Sequence, residues 1–206
     1  MTLGAGLVLG MVGPLAGKFE NPLLHAVHLV FSGGWSWACF AFVVGWSRRS
    51  KIESSLLASS ALAIGVVAYY LFKYFSPDAP MGRVISGGAG EGLTSKMLAW
   101  GLAAFVLGAP LGFLGNLART PGIGGLPFRL LVPLIAFLET SQRLVVEADS
   151  QGLTTDITWN AIRVVALVTA VVLIVHSAQD WWRDRRSRPR EYAEGAAQRS
   201  EPPQVR

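Results

Sequence analysis

A membrane-length, mostly apolar segment runs from Phe128 to Ala148 and, beyond Arg129 at its start, contains three charged side chains: Glu139, Arg143 and Glu147. Their spacing of four residues places them within roughly 80° of one another on a helix, where neighbouring carboxylate and guanidinium groups can meet. Ionised groups at membrane depth cost at least ~2.5–3.5 kcal/mol each on insertion scales. We therefore expect this face to point into a helix bundle or a hydrated pocket. There Glu139, assisted by Arg143, could exchange a proton with a ligand, or the two could form a purely structural ion pair.

The segment from Pro22 to Trp46 is predicted to form one helix whose polar and aromatic residues share a face. These residues are His25, His28, Ser32, Trp35, Ser36, Cys39 and Trp46. This pattern suggests a third catalytic group, His28, and two residues that line the substrate, His25 and Trp35. Alternatively, the histidines are near enough to the helix start to meet interfacial water. No further metal ligands are evident beside them, so we expect neither a metal nor another cofactor.

Four more aromatic residues are predicted to line the same substrate site from the ends of other helices: Tyr69, Tyr70, Trp100 and Trp159. Together with the histidines they predict one polar, aromatic-lined cavity in the outer half of the membrane. The alternative is that the tyrosines belong to the aromatic belt at the membrane boundary.

Composition and segment length predict the transmembrane helices that would hold such a site. A mean hydropathy of +0.42 and a charged fraction of 15% lie outside the usual balance of a soluble domain. We predict an all-α, polytopic membrane bundle of about six transmembrane helices in one domain, residues 1–182, followed by a disordered basic cytoplasmic tail, residues 183–206. The predicted segments are 3–17, 22–46, 54–75, 97–118, 128–148 and 158–182.

Two patterns predict how these helices pack and bend. Gly108 and Gly112 form a GxxxG pair, which favours close helix contact. Pro133 is expected to bend the fifth segment. The Gly- and Pro-containing stretch between residues 77 and 90 is interpreted as a loop and a candidate lid.

The distribution of charge predicts the topology. The net charge of +5 is concentrated at Arg48, Arg49 and Lys51 and from Arg183 onward, next to apolar segments, which indicates orientation in a membrane rather than nucleic-acid binding. By the positive-inside rule we expect a multi-pass protein of the cell membrane with both termini cytoplasmic. The first segment lacks the basic start of a signal peptide and is interpreted as a retained helix.

An acid among aromatic faces suits chemistry on an isoprenoid, because protonation of an alkene or epoxide creates cations that aromatic rings stabilise. Ala68-Tyr69-Tyr70 and Glu139 resemble features of uncharacterised small multi-pass membrane proteins of actinobacteria. In size, topology and content of tryptophan and acid, the chain is also similar to the small integral-membrane terpene cyclases of bacterial indole-sesquiterpenoid pathways.

That resemblance implies cyclisation of a prenylated, indole-type or polyprenyl substrate, with the lipid bilayer as the other partner. The chain has no DDxxD motif, which argues against ionisation of a prenyl diphosphate. The alternative function is a small transporter or lipid-binding protein in which Glu139 binds a proton or cation, although no inverted repeat is evident. The sequence leaves the oligomeric state open.

Overall fold

The protein is an all-α bundle. This computed structural model describes the backbone of residues 1–76 and 89–200, and the side chains of residues 1–76, 94–146, 152–183, 185 and 186. Its α-helices are α1 (Thr2–Ala16), α2 (Pro22–Ser32), α3 (Gly34–Trp46), α4 (Lys51–Phe75), α5 (Ala89–Leu117), α6 (Leu126–Arg129), α7 (Leu131–Gln151) and α8 (Leu153–Ser200). A short 3₁₀ turn, Gly122–Gly125, precedes α6.

The prediction of a polytopic membrane bundle is confirmed, but the six predicted spans are not alike. Helices α4, α5 and α8 each contain a segment long and apolar enough to cross a membrane, and so does the stretch Gly122–Val146, which takes in the 3₁₀ turn, α6 and most of α7. Helices α2 and α3 together make a fifth candidate span that is bent by 63°, and α1 is a shorter apolar helix of 15 residues. The structure therefore supports four or five full spans within the described residues.

Local sequence explains where several helices begin and end. The Asn21 side chain accepts a hydrogen bond from the N–H of Leu23, next to Pro22 in the first turn of α2. Gly152, with φ of +82°, separates α7 from α8 in a conformation that favours glycine. Helix α7 starts at Leu131, so Pro133 lies in its first turn, where its missing N–H has no helical partner to lose. The expected bend at Pro133 is replaced by a helix start.

Glycines bring the helices on both sides of α4 into backbone contact. A Cβ atom at Gly10 of α1 would collide with the carbonyl oxygen of Gly65 in α4. On the other side, a Cβ at Gly108 would lie 2.7 Å from the Cα of Ser59, and one at Gly112 would lie 2.6 Å from the Cβ of Ala58. The close contact predicted from the GxxxG pair is confirmed.

One end of the bundle, which we call the basic end, collects the loops that carry arginine. Arg48 donates to the hydroxyl of Thr2 (2.9 Å), which places the start of α1 there. The backbone carbonyl of Arg48 accepts a hydrogen bond from Arg119 (2.9 Å). Helix α8 begins at the opposite end, where Thr155 meets α2, and runs toward the basic end, where α1 starts.

Three expectations concern the parts of the chain beyond or near the limits of the description. Helix α8 continues to Ser200, into the segment for which the sequence predicts disorder; the division into a membrane domain and a tail stays a prediction. The candidate lid at residues 77–88 and the side chain of Glu147 lie outside the described residues.

Candidate functional site

The carboxylate of Glu139 binds the backbone at the break between α2 and α3. In a continuous helix the N–H groups of Gly34 and Trp35 would bond to carbonyls four residues earlier. Here they donate to Glu139 of α7 instead, Gly34 to Oε1 at 2.9 Å and Trp35 to Oε2 at 2.6 Å. The carbonyl of Phe31, which Trp35 would otherwise use, accepts from the indole N–H of Trp37 at 3.0 Å. Glu139 is therefore the N-terminal cap of α3, supplied from another helix.

Two consecutive glycines make room for this cap. A Cβ atom at Gly34 would lie 3.2 Å from Oε2 of Glu139, and one at Gly33 would lie 2.9 Å from the ring of Trp35. Any larger residue at these positions would push on the carboxylate or on the indole. The glycine pair thus fixes both the place of the break and the approach of α7.

Arg143 joins the same network from the next turn of α7. Its Nε donates to Oε1 of Glu139 at 3.1 Å, so the ion pair predicted from their spacing is confirmed. Its guanidinium lies over the ring of Trp159, 4.9 Å from the ring centre, and Trp159 is fully buried. The cation–π contact and the ion pair together stabilise the carboxylate against α8.

Within the described part of the chain, Glu139 accepts three hydrogen bonds, which leave one position on its carboxylate unused. A carboxylate offers about four lone-pair sites on its two oxygens. Oε1 accepts from Gly34 and Arg143, and Oε2 accepts from Trp35. With the side chain partly exposed, at 21%, the remaining site on Oε2 is where a proton or a ligand donor could bind.

His28 and His25 connect α2 to neighbouring helices. Nδ1 of His28 lies 2.7 Å from the carbonyl oxygen of Gly13 in α1, so Nδ1 carries the proton in that bond. Nε2 of His25 lies 3.4 Å from the hydroxyl of Thr155 in α8, and the two imidazole rings stack at 6.4 Å. Neither hydrogen bond reaches Glu139, and these contacts connect α2 to α1 and α8 at the end opposite the basic end.

A groove of about 380 Å³, which we call the aromatic groove, lies between α3, α4 and α5. Its aromatic lining residues are Trp37, Tyr69, Tyr70 and Trp100. Gly34 also lines it, so the groove reaches the capped end of α3. Trp100 is 59% exposed, and the groove therefore opens sideways.

A second groove of about 490 Å³, which we call the apolar groove, lies on another face of α3, between α3, α7 and α8. Trp35, Cys39 and Trp46 line it along α3, and Arg129 lies at its basic end. Its other lining residues are apolar except Thr169.

The single cavity expected from the sequence is thus divided. Tyr69, Tyr70 and Trp100 meet in the aromatic groove, Trp35 lines the apolar groove, and Trp159 is packed under Arg143. The carboxylate of Glu139 lies beside Gly34 at the junction of α3 with the aromatic groove.

Sequence reasoning missed the helix break and the residues that complete it, Gly33, Gly34 and Trp37. The available signal was a pair of adjacent glycines in the middle of an apolar span, where they weaken a helix. Comparison of the chain with protein-family models, with curated proteins and with solved structures finds no match.

Proposed function

We propose that the protein is a membrane-embedded terpene cyclase that binds an isoprenoid in the aromatic groove and cyclises it after protonation by Glu139. One observation carries the proposal: Gly34 lines the groove, and the site of its missing Cβ lies 3.2 Å from Oε2 of Glu139. The absence of a side chain at Gly34 leaves a short route from the groove to the acid. The similarity in size and topology to small integral-membrane terpene cyclases supports the same class of reaction.

The proposed reaction uses the free position on Oε2. A proton on Oε2 adds to one carbon of an alkene, and the alkene π bond breaks to leave a cation on the other carbon. A second alkene or an indole attacks that cation and forms the ring C–C bond. Loss of a C–H proton to Glu139 then gives the product and restores the acid, so the net change is an isomerisation.

The aromatic lining fits cationic intermediates better than a purely aliphatic wall would. The faces of Trp37, Tyr69, Tyr70 and Trp100 can each stabilise a nearby cation by about 0.5–2 kcal/mol. The sideways opening at Trp100 would admit a substrate from the hydrocarbon phase of the cell membrane. No cofactor takes part in this scheme.

The test is an activity assay on membranes that contain the protein. Prenylated indoles and free prenyl diphosphates are supplied separately, and products are identified by mass spectrometry and NMR. We expect conversion of the prenylated substrate, and Glu139→Gln should lower the rate by at least ~10²-fold. The matched control is Glu53→Gln, which removes a carboxylate from the exposed ion pair with Arg48. A folded Glu139→Gln protein that cyclises at the wild-type rate would exclude Glu139 from the reaction.

Trp100 offers a second, finer test of the aromatic groove. Trp100→Phe retains an aromatic face and should reduce or redistribute products less than Trp100→Ala. Equal effects of the two substitutions on product distribution would argue against cation stabilisation at this wall.

A second candidate, transport or lipid binding, is favoured by the broken span itself. Discontinuous helices whose ends meet a charged group form substrate sites in many transporters. Retention of a prenylated substrate without conversion, together with its exchange across proteoliposomes, would support this candidate and count against the cyclase.

A further inference from the structure

The apolar groove has the length of one lipid chain in one leaflet. It extends along α3 from Trp35 to Trp46, which at ~1.5 Å per residue is roughly 17 Å. Half of a hydrocarbon core of ~30 Å is about 15 Å. With about 490 Å³ of space and an almost wholly apolar lining, the groove could hold one extended chain that enters from the basic end.

Arg129 places a positive charge at that end of the groove. Its Nε donates to the carbonyl of Ala118 at 2.9 Å, and Nη2 donates to the carbonyl of Thr120 at 2.9 Å. These bonds fix the guanidinium beside the C-terminal end of α5. They use two of its five N–H groups, so three remain for another acceptor.

Within the part of the chain that the structure describes, no neighbouring acid balances the charge of Arg129. Among the described residues, no carboxylate forms an ion pair with it; Glu53 and Glu139 pair with Arg48 and Arg143. A half-buried cation beside an apolar wall is stabilised by an anion that can approach it from outside. Guanidinium binds phosphate particularly well, because two parallel N–H groups match two phosphate oxygens.

We infer that the apolar groove binds one chain of an anionic phospholipid, with the phosphate held by Arg129. The aromatic groove and Glu139 take no part in this site, so it stands apart from the proposed cyclase activity. A net negative headgroup is preferred, because a zwitterionic lipid carries its own cation beside the phosphate and this cation offsets the attraction to Arg129.

The single cysteine of the chain provides a direct probe, because Cys39 lines this groove. Protein in detergent is incubated with lysophosphatidylglycerol or with lysophosphatidylcholine of the same chain, and alkylation of Cys39 by N-ethylmaleimide is followed by mass spectrometry. The anionic lipid should protect Cys39 at a concentration about tenfold lower than the zwitterionic one does. Native mass spectrometry should show the same order of retention.

Variants assign the effect to Arg129. Arg129→Gln should remove the preference for the anionic lipid, and Arg129→Lys should keep most of it. The matched control, Arg119→Gln, removes an exposed cation from the same end of the bundle that does not line the groove, and should leave the preference unchanged.

Three results would overturn the inference. One is equal protection of the wild-type protein by the two lipids, a comparison that needs no variant to fold. Another is an unchanged preference in a folded Arg129→Gln protein. The third is stronger protection by farnesyl phosphate than by the lysolipid, which would assign the groove to an isoprenoid chain. Loss of cyclase activity would affect none of these measurements.

Discussion

Glu139 forms shorter hydrogen bonds with the backbone of α3 than with its neighbour Arg143. The N–H of Trp35 lies at 2.6 Å and that of Gly34 at 2.9 Å, against 3.1 Å for Nε of Arg143. The ion pair that the sequence predicts is therefore only one part of a cap that closes a helix end. A catalytic acid at this position would also stabilise the fold, because it caps α3.

This double role makes a prediction about stability. Glu139→Gln replaces one carboxylate oxygen by an amide nitrogen, so one backbone N–H at the start of α3 loses its acceptor. We expect the free energy of unfolding to fall by about 1–3 kcal/mol, measured by thermal unfolding in detergent. Glu53→Gln, at the basic end, should change stability by less than about 0.5 kcal/mol.

The double variant separates the cap from the ion pair. If the cap dominates, adding Arg143→Gln to Glu139→Gln restores little stability. The reason is that one of the two N–H groups, of Gly34 or of Trp35, still lacks an acceptor in the double variant. Restoration of most of the lost stability would instead show that an unpaired Arg143 is the main cost.

At the scale of the helices, backbone contact through glycine fixes how α1, α4 and α5 are arranged. Gly112→Ala would place a Cβ 2.6 Å from the Cβ of Ala58 and 2.5 Å from the carbonyl oxygen of Ser54. We expect the variant to be destabilised by roughly 1–3 kcal/mol, the range for overpacking. Gly101→Ala in the same helix, with no atom within 4 Å of the new Cβ, is the control.

Gly101→Ala should be neutral or slightly stabilising in the same unfolding measurement, because alanine favours a helix interior by roughly 0.5–1 kcal/mol. Equal loss of stability in the two variants would mean that the effect at Gly112 does not come from contact with α4.

The positions of the long helices could be predicted because a membrane-length apolar run encodes each of them locally. The break between α2 and α3 could not, since the carboxylate that stabilises it lies 104 and 105 residues further along the chain. The prediction that Trp35 and the histidines share one face depended on a straight helix. The 63° bend places the histidines and Trp35 on two different helices. For the same reason the predicted cavity became two grooves.

At the scale of the whole molecule, the start of α1 and the C-terminal part of α8 lie at the basic end, which the positive-inside rule assigns to the cytoplasm. Single cysteines at positions 20, 49 and 195, in a Cys39→Ser background, test this orientation in intact spheroplasts. A membrane-impermeant maleimide should label position 20 from outside, and positions 49 and 195 only after lysis.

Position 20 lies in the connection between α1 and α2, and position 49 lies in the connection between α3 and α4. Labelling of position 49 in intact cells, with position 20 protected, would reverse the orientation. It would also move the Arg129 site to the outer leaflet.

The long sequence separation between the helix break and its cap has a consequence for biosynthesis. When residues 22–46 enter the membrane, Glu139 has not yet been synthesised, and the N–H groups of Gly34 and Trp35 have only their own helix to bond with. We expect this span to insert as a straight helix and to bend once α7 arrives. A peptide of residues 22–46 in lipid should accordingly show one continuous helix by NMR, and a break near Gly33 in the isolated peptide would show that the glycine pair bends the span without Glu139.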